Sequence, residues 1–545
     1  MAQSQPYIVN CRGGLNTNFT ELEMLKQPGF ASKLINFEVD PDGGYRRIKG
    51  FTAYGDTRPF GATDTKVLGV QAYADGIIVT GSDGIKFSND GTTWIDINKT
   101  GVATAGDNYA TFTGRSNLTR ANQKQTDFTF FESKTTYGKL VICDGANAPY
   151  LFYMTGSGAL NTRTFFAEEL ELTSHVGGVS NATDDPTTAC YHKTILLASG
   201  VSAAPNAIAY STFSATDPDE TTHSNSNVVS VDDAVVALKA FRDSVIVFCK
   251  NSISKIVNVE DPAQIAVVPI TKNVGCLHAH SIQEVGGDLI FLAPDGIRTL
   301  AATERIGDVE LSTESRNIQE LISRITRSIN TYNISSTVLR EKSQYRLFYS
   351  ADSTGTEDAE GIMGTLTANG YEWAELVGIQ AFGVDSSFDT NRIQQVYHGD
   401  RNGYIYRHDQ GLSFLDGTVA KNIFALYTTP SLDCGDLGTK KTFHYVKVSI
   451  SPEGSVNPTL RIAFDYEDPE LPQPPDYVLP TIPIPTKFGR IGFGTGVFGG
   501  TDDPSVRQAV QGSGDVVNLT ITSNDQTPAY AVNGFYINYV PEGRR

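Results

Sequence analysis

Cys276, His278 and His280 form a Cys-x-His-x-His run, the closest approach to a metal-ligand spacing in the chain. Thiolate and imidazole are zinc ligands, and on a regular strand the three side chains share one face. No further Cys or His lies close in sequence, so the run is short of ligands and reads as the end of a strand. His398 and His408 flank a turn without a cysteine partner, among only eight histidines in all. Gly494, Gly496 and Gly499 match the letters of a dinucleotide loop. Thr-Asp-Asp-Pro follows Gly500, so no long helix begins there and a glycine-rich loop between strands is expected. Carboxylate pairs stand at Asp184-Asp185, Asp232-Asp233 and Asp502-Asp503. Glycoside hydrolysis needs two acids across a groove, and sequence neighbours on a strand point to opposite faces. GxSxG, HExxH and the phosphate-binding GxxxxGK[ST] do not occur. The expectation is a chain without catalytic, cofactor-binding or metal residues, and not an enzyme.

The elements around these residues are short alternating segments closed by turn dipeptides. Asp-Gly recurs at Asp42, Asp75, Asp83, Asp90, Asp144, Asp295 and Asp416, and Asn-Gly at Asn369, Asn402 and Asn533. Such pairs tolerate positive φ at hairpin turns. Residues 66–97 hold four strand-length pieces joined by three Asp-Gly turns, the pattern of one propeller blade. Within them, Ser88-Asn89-Asp90-Gly91-Thr92-Thr93-Trp94 resembles the Asp-box turn of sialidase-like propellers, one residue short. That turn is structural, and Trp94 would pack between sheets. Looser echoes at 138–154, 189–211, 235–257, 282–300, 345–373 and 394–408 recur about every 40–50 residues, in the range of propeller repeats. The spacing predicts a helix over 312–329, with Ile318, Leu321, Ile322, Ile325 and Ile329 on one face and Arg316, Arg324 and Arg327 on the solvated side.

The fold class expected is mainly β: a β-propeller body of about seven blades over 61–416, preceded by an N-terminal arm and hairpin over 1–60. A β-sandwich-like region occupies 417–545, where longer alternating strands appear. Seven prolines between 469 and 485 exclude a central strand or helix there and suggest a stiff arm able to lie on a neighbouring subunit.

Composition agrees with strands and tight turns: 40% hydrophobic, 19% charged, with 51 Gly, 24 Tyr and 28 Phe. The formal net charge of −18 opposes free nucleic-acid binding, although an acidic wall suits a conduit along which a duplex slides. Six scattered cysteines without CxxC suggest buried free thiols formed in a reducing cytoplasm. The start, MAQSQPYIVN, does not read as a signal peptide, and no run of 18 apolar residues suggests a membrane span.

The order of several segments resembles the tail nozzle and hub (tail tubular or DNA-stabilisation) proteins of short-tailed bacteriophages. They are Gly13-Gly14, Pro28-Gly29-Phe30-Ala31, Asn36 and Gly43-Gly44-Tyr45-Arg46-Arg47 with Gly50; Ser252-Ile253, Asn273-Val274-Gly275-Cys276, Ser281 and Phe291-Leu292-Ala293-Pro294-Asp295-Gly296-Ile297; then Glu372-Trp373, residues 400–406, Asp416-Gly417, Gly534-Phe535-Tyr536-Ile537-Asn538-Tyr539 and Glu542-Gly543-Arg544-Arg545. The resemblance implies a homo-oligomeric ring, a hexamer, around a DNA exit channel in the virion tail. Its partners would be tail adaptor and tail-fibre proteins, DNA passing through the lumen without sequence-specific binding, and the host cell surface. Synthesis would be in the host cytoplasm. Other readings are a neck, adaptor or fibre-attachment protein of the virion, or a tail-associated propeller enzyme that degrades glycans.

Overall fold

The computed structural model describes residues 4–40, 43–61, 65–82, 84–97, 101–102, 111–114, 125–131, 137–147, 149–169, 185–193, 195–211, 227–261, 263–301, 313–351, 359–389, 391–470, 472–480 and 505–544. The protein is mainly β and is built from many sheets, antiparallel except where Thr111–Gly114 meets Thr164–Glu169 and where Lys33–Ile35 meets Gly370–Val377. Seven follow one another along the chain. The first contains Val67–Tyr73, Gly76–Gly81, Gly84–Ser88 and Ile95–Asp96, paired in chain order. The second holds Gly101–Val102 and Thr111–Gly114 beside a meander that begins with Asp127–Phe131, and the other five begin with Thr188–His192, Val235–Phe241, Gln283–Val285, Tyr332–Leu339 and Gly383–Phe388.

Their second strands explain the apolar runs in the sequence. Gly76–Gly81, Lys139–Cys143, Ile195–Ser199, Ser244–Cys249 and Asp288–Ala293 are buried along nearly their whole length, on both faces. A strand covered on both sides needs no polar alternation, so IIVTG, KLVIC, ILLAS and SVIVFC read as continuous hydrophobic stretches. Five seams between neighbouring sheets have their own apolar filling, while the fifth and sixth sheets join the large core of the C-terminal region. Ile78, Ile85 and Phe87 meet Ile142, Phe152 and Phe165 between the first and second sheets. Val141 and Leu151 meet Ala189 and Leu196 between the second and third. Leu197 and Ile208 meet Leu238 and Val247 at the next seam, and Phe248 and Ile253 meet Leu289 and Phe291 at the one after. Val67, Ile77 and Val79 of the first sheet pack with Ile405 and Tyr397 of the seventh.

The seventh sheet is completed from the other end of the chain. Gly383–Phe388, Gln394–Gly399 and Ile405–His408 are followed in space by Phe51–Ala53, which pairs with Ile405–His408. The earlier N-terminal strands belong to the C-terminal region. Gln5–Asn10 lies antiparallel to Tyr530–Arg544, as does Tyr45–Arg47 of the hairpin it forms with Phe37–Val39. Tyr530–Arg544 also pairs with Thr439–Pro452, which in turn pairs with Ser505–Gly514. A second sheet in this region runs Lys33–Ile35, Ile423–Thr428, Val517–Asp525, Thr459–Phe464, Tyr477–Val478. Val446, Val448 and Ile537 of the first sheet share one core with Ile462, Leu519 and Ile521 of the second. Lys33–Ile35 also touches Gly370–Val377, so the sixth sheet and this one form a single nine-stranded sheet. The described residues between 4 and 60 thus supply strands to both halves, and include the hairpin of Phe37–Val39 with Tyr45–Arg47.

Two element boundaries differ from the sequence expectation. The helix is Gln319–Arg327, with a 3-10 turn at Arg316–Ile318. It buries Ile318, Leu321, Ile322 and Ile325 against the core that includes the fifth and sixth sheets, and exposes Arg316, Arg324 and Arg327. Within the proline-rich stretch, Tyr477–Val478 pairs with Thr459–Phe464 as an edge strand of the chain's own sheet. Proline lacks the ladder donor and tolerates an edge, so residues 472–480 lie along this molecule; 481–485 fall outside the described residues. Among the described residues no helix is long and apolar enough to cross a membrane.

Candidate functional site

The first strands of six of the seven sheets surround one cavity of about 270 Å³. Its lining is polar: Gln71, Gln125, Asp127, Lys239, His280 and Asp385 come from four sheets and the turn before the fifth, and Ser336 from the sixth. The polar groups are largely spent on one another. Gln71 Nε2 and the Ala72 N–H donate to Asp385 Oδ2 at 2.8 and 2.7 Å, which ties the first sheet to the seventh. Gln125 Nε2 reaches from the second sheet to the carbonyl of Ile334 at 2.5 Å. Thr188 Oγ1 donates to Asp127 Oδ2 at 2.7 Å, and Lys239 Nζ stands 3.5 Å from Asp127 Oδ1. Gln283 Nε2 donates to the Ser336 carbonyl at 2.8 Å, and Ser336 Oγ to the His280 carbonyl at 2.6 Å. Burial pushes the Asp385 carboxyl up to about 6 against the pull of its backbone donors. Such an arrangement clamps sheets together. Its volume equals roughly nine water molecules at ~30 Å³ each, whereas the major groove alone of a duplex is about 12 Å wide. A duplex does not fit in a cavity of this volume.

The Cys-x-His-x-His run lies beside this cavity, with Cys276 and His278 in the segment that leads into a 3-10 turn (Ala279–Ser281) and His280 within it. The turn breaks the two-residue alternation, so the three side chains do not converge. Cys276 Sγ contacts the His278 carbonyl at 3.4 Å, and the two imidazoles are 5.6 Å apart between centroids. Burial lowers His278 to about 3 and His280 to about 4, so both rings are neutral at pH 7. Among the described residues no three His, Cys, Asp or Glu side chains are grouped to hold a metal. All six cysteines are buried, and burial raises the Cys11, Cys190, Cys276 and Cys434 thiols to about 12.

His398 and His408 do meet. His408 Nε2 and His398 Nδ1 are 2.6 Å apart on adjacent strands of the seventh sheet, with Phe51 against both rings. Burial and the neighbouring Arg346 charge lower His408 to about 3, and burial lowers His398 as well. Ser88–Trp94 is a turn with the internal bonds of an Asp box. Asp90 Oδ1 accepts from the N–H of Thr92 and Thr93, and Trp94 Nε1 donates to the Gly91 carbonyl at 3.2 Å. Gly91 has φ +74°, and a Cβ there would collide with the Tyr54 carbonyl 2.5 Å away. Trp94 packs on Tyr54 between the first and seventh sheets. Asp233 accepts from the N–H of Ala234 and Asn251 and staples a loop. Asp185 is buried, while Asp184, Asp502, Asp503, Gly494, Gly496 and Gly499 lie outside the described residues.

Sequence reasoning missed a second polar centre. Glu38, on the N-terminal hairpin, is buried and accepts from Lys342 Nζ at 2.8 and 2.9 Å, with Arg346 3.5 Å away. Asp409 lies 3.3 Å from Arg346 and 3.6 Å from Lys342. Burial alone would raise the Asp409 carboxyl; the two cations hold it well below the usual range. Glu38, Lys342 and Asp409 border a cavity of about 300 Å³ with Arg46, Lys49 and Gln394. The one signal in sequence is Arg346, a charge inside the apolar strand QYRLFYS. Its partners, 63 and 308 residues away, carry no local trace.

No family model matches the chain, and no curated protein matches it. Solved structures resemble it distantly. The extracellular domain of the one-component system protein BT4673 of B. thetaiotaomicron has TM-score 0.37 and 11% identity, covering 69% of this chain and 44% of that one. The WD40 β-propeller domain of Doa1 has TM-score 0.34 and 11% identity, covering 66% and 97%. The AfRom2 CNH domain has TM-score 0.32 and 8% identity, covering 66% and 98%. The chain thus spans less than half the length of the first of these.

Proposed function

We propose that the seven small sheets are the blades of one closed propeller, and that the protein is a structural subunit of the tail nozzle or hub of a short-tailed bacteriophage. In this reading the copies form a ring, six in number by the resemblance noted above, and DNA passes between them rather than through any one chain. Six copies at −18 each carry a formal charge of −108. Acidic surface facing inward would let a duplex slide without sticking. Adaptor and fibre proteins would dock above and around the ring, and the host surface would meet its lower end.

The observation that carries the reading is mechanical. Phe51–Ala53 closes the last sheet, Gln5–Asn10 is paired to Tyr530–Arg544, and the polar groups in the middle are spent on ties between sheets. A body stapled at both ends of its chain suits a part that must hold its shape under internal DNA pressure. Electron microscopy of purified virions tests the proposal. Multiple copies in a ring at the tail, with a hole wide enough for a duplex, are expected. A single copy, a position away from the tail, or absence from the particle would overturn it.

A further inference from the structure

One face of the C-terminal region sets cations beside open aromatic rings. Ile8, Tyr536, Lys447 and Arg507 are direct cross-strand neighbours over four strands, and so share one side of the sheet. Tyr445, two residues from Lys447, shares it too. The opposite side of the same strand, Val446 and Val448, faces the core. The row is open: Ile8 is 63% exposed, Arg507 is exposed, and both tyrosines are half-buried. The rings of Tyr445 and Tyr536 are nearly parallel, 15° apart with centroids 6.1 Å apart. The Arg507 guanidinium lies 4.0 Å from the centre of the Tyr445 ring, and Lys447 Nζ 5.9 Å from that of Tyr536. Among the described residues neither cation has a carboxylate partner.

The complementary chemistry is on the same chain, beside the other sheet. After Thr459–Phe464 comes a stretch, residues 465–470 and 472–480, that carries exposed Glu470 and Asp476 with exposed Pro469, Pro472 and Pro475, while Glu467 pairs with Arg461 at 3.4 Å. Tyr466 and Val478 on it are 57% and 62% exposed. It ends in the edge strand Tyr477–Val478, while the basic row faces away from that sheet. Proline on flat aromatic rings, with acids over flanking cations, is a matched pair of surfaces. Two copies of a chain with net charge −18 repel unless opposite charges meet locally. We infer that the row Tyr445, Tyr536, Lys447 and Arg507 receives the acidic, proline-bearing stretch around Glu470 and Asp476 of a second copy. Such a contact is heterologous, of the kind that closes into rings. It deepens the ring reading above and rests on it only for the closure.

The test uses the full chain and a fluorescent peptide of residues 465–480. The wild-type protein should bind the peptide, and binding should weaken with salt. The K447E/R507E variant, with unchanged melting temperature, should bind at least tenfold more weakly. A peptide carrying Glu470→Lys and Asp476→Lys should regain affinity for that variant. Equal binding by both proteins, or none by the wild type, would overturn the inference. So would a single-stranded oligonucleotide that displaces the peptide and binds more tightly, because the row would then be a nucleic-acid surface. Mass measurement of the oligomer keeps the two ideas apart. A ring that survives K447E/R507E rejects this contact and leaves the ring standing. A monomeric wild type that binds the peptide through these residues rejects the ring and keeps the contact.

Discussion

The seam between the first and second sheets and the junction between the N-terminal strands and the C-terminal region are both apolar, but they are supplied differently. At the seam, residues between positions 73 and 165 fill the space. At the junction, one core gathers Val9, Phe37, Tyr45, Trp373, Tyr427, Phe464 and Phe535 from the whole length of the chain. A seam can loosen while its neighbours hold. The junction fails or survives as a unit, because each segment there is held by others distant in sequence. Stability should therefore be uneven, with the first four sheets opening before the junction does.

The largest test of this contrast is Trp373→Ala. The indole is fully buried and its Nε1 donates to the Glu314 carbonyl at 2.8 Å. A loss of about 4 kcal/mol is expected, with hydrogen exchange rising across both halves. Arg47→Ala comes next. The buried guanidinium donates to the carbonyls of Ile423, Asp525 and Thr527 and pairs with Asp525 at 2.9 Å. Its removal should cost about 3 kcal/mol in chemical denaturation and detach the hairpin before the seven sheets are affected.

Acid should separate the regions further. His398 and His408 lie at the junction and His278 and His280 at the seam between the fourth and fifth sheets; all four are lowered in the folded state. The unfolded chain takes up protons near pH 6.5 that the folded chain refuses. Their contribution is thus present above pH 6.5 and is lost as pH falls, at about 1.4 kcal/mol per pH unit for each. Asp385 and Asp400, raised to about 6, act in the opposite sense. Their folded forms bind protons first, so they favour the folded state at low pH and lose that contribution as pH rises through 6. Four histidines outweigh two acids, and melting temperature should fall between pH 6.5 and 4. His278→Gln with His280→Gln should flatten that slope, and a slope left unchanged would remove the seam pair from the explanation. Ile142→Val, inside the first seam, should cost about 1 kcal/mol and raise exchange only in the first two sheets. Lys193→Ala should fall within about 0.5 kcal/mol of the wild-type melting curve, since Lys193 and Glu260 form an exposed pair 3.5 Å apart.

The same contrast governs what could be read from sequence. The four strands from Val67 to Asp96 are visible because their turns are local Asp-Gly pairs and their apolar runs are continuous. Tyr332–Leu339 was missed: its serines and threonine, in NISSTV, are buried yet polar, and two of them bond to carbonyls of neighbouring segments. Phe51–Ala53 could not be read at all, since three residues carry no pattern and their partner strand is 350 residues away. Histidine spacing alone does not show which rings meet. The Cys-x-His-x-His run looks paired but is turned apart, while His398 and His408 look isolated and are joined by the ladder between their strands.

The pairing of Gln5–Asn10 with residues 534–539 has a consequence for biosynthesis. At about 5–20 residues per second, residues 5–10 leave the ribosome roughly half a minute to two minutes before their partner strand exists. Until then that early edge has nowhere to dock, while the first sheets can already assemble. Translation that stops short of residue 530 should therefore yield a chain with a formed middle and two sticky ends, a natural substrate for chaperones and proteases.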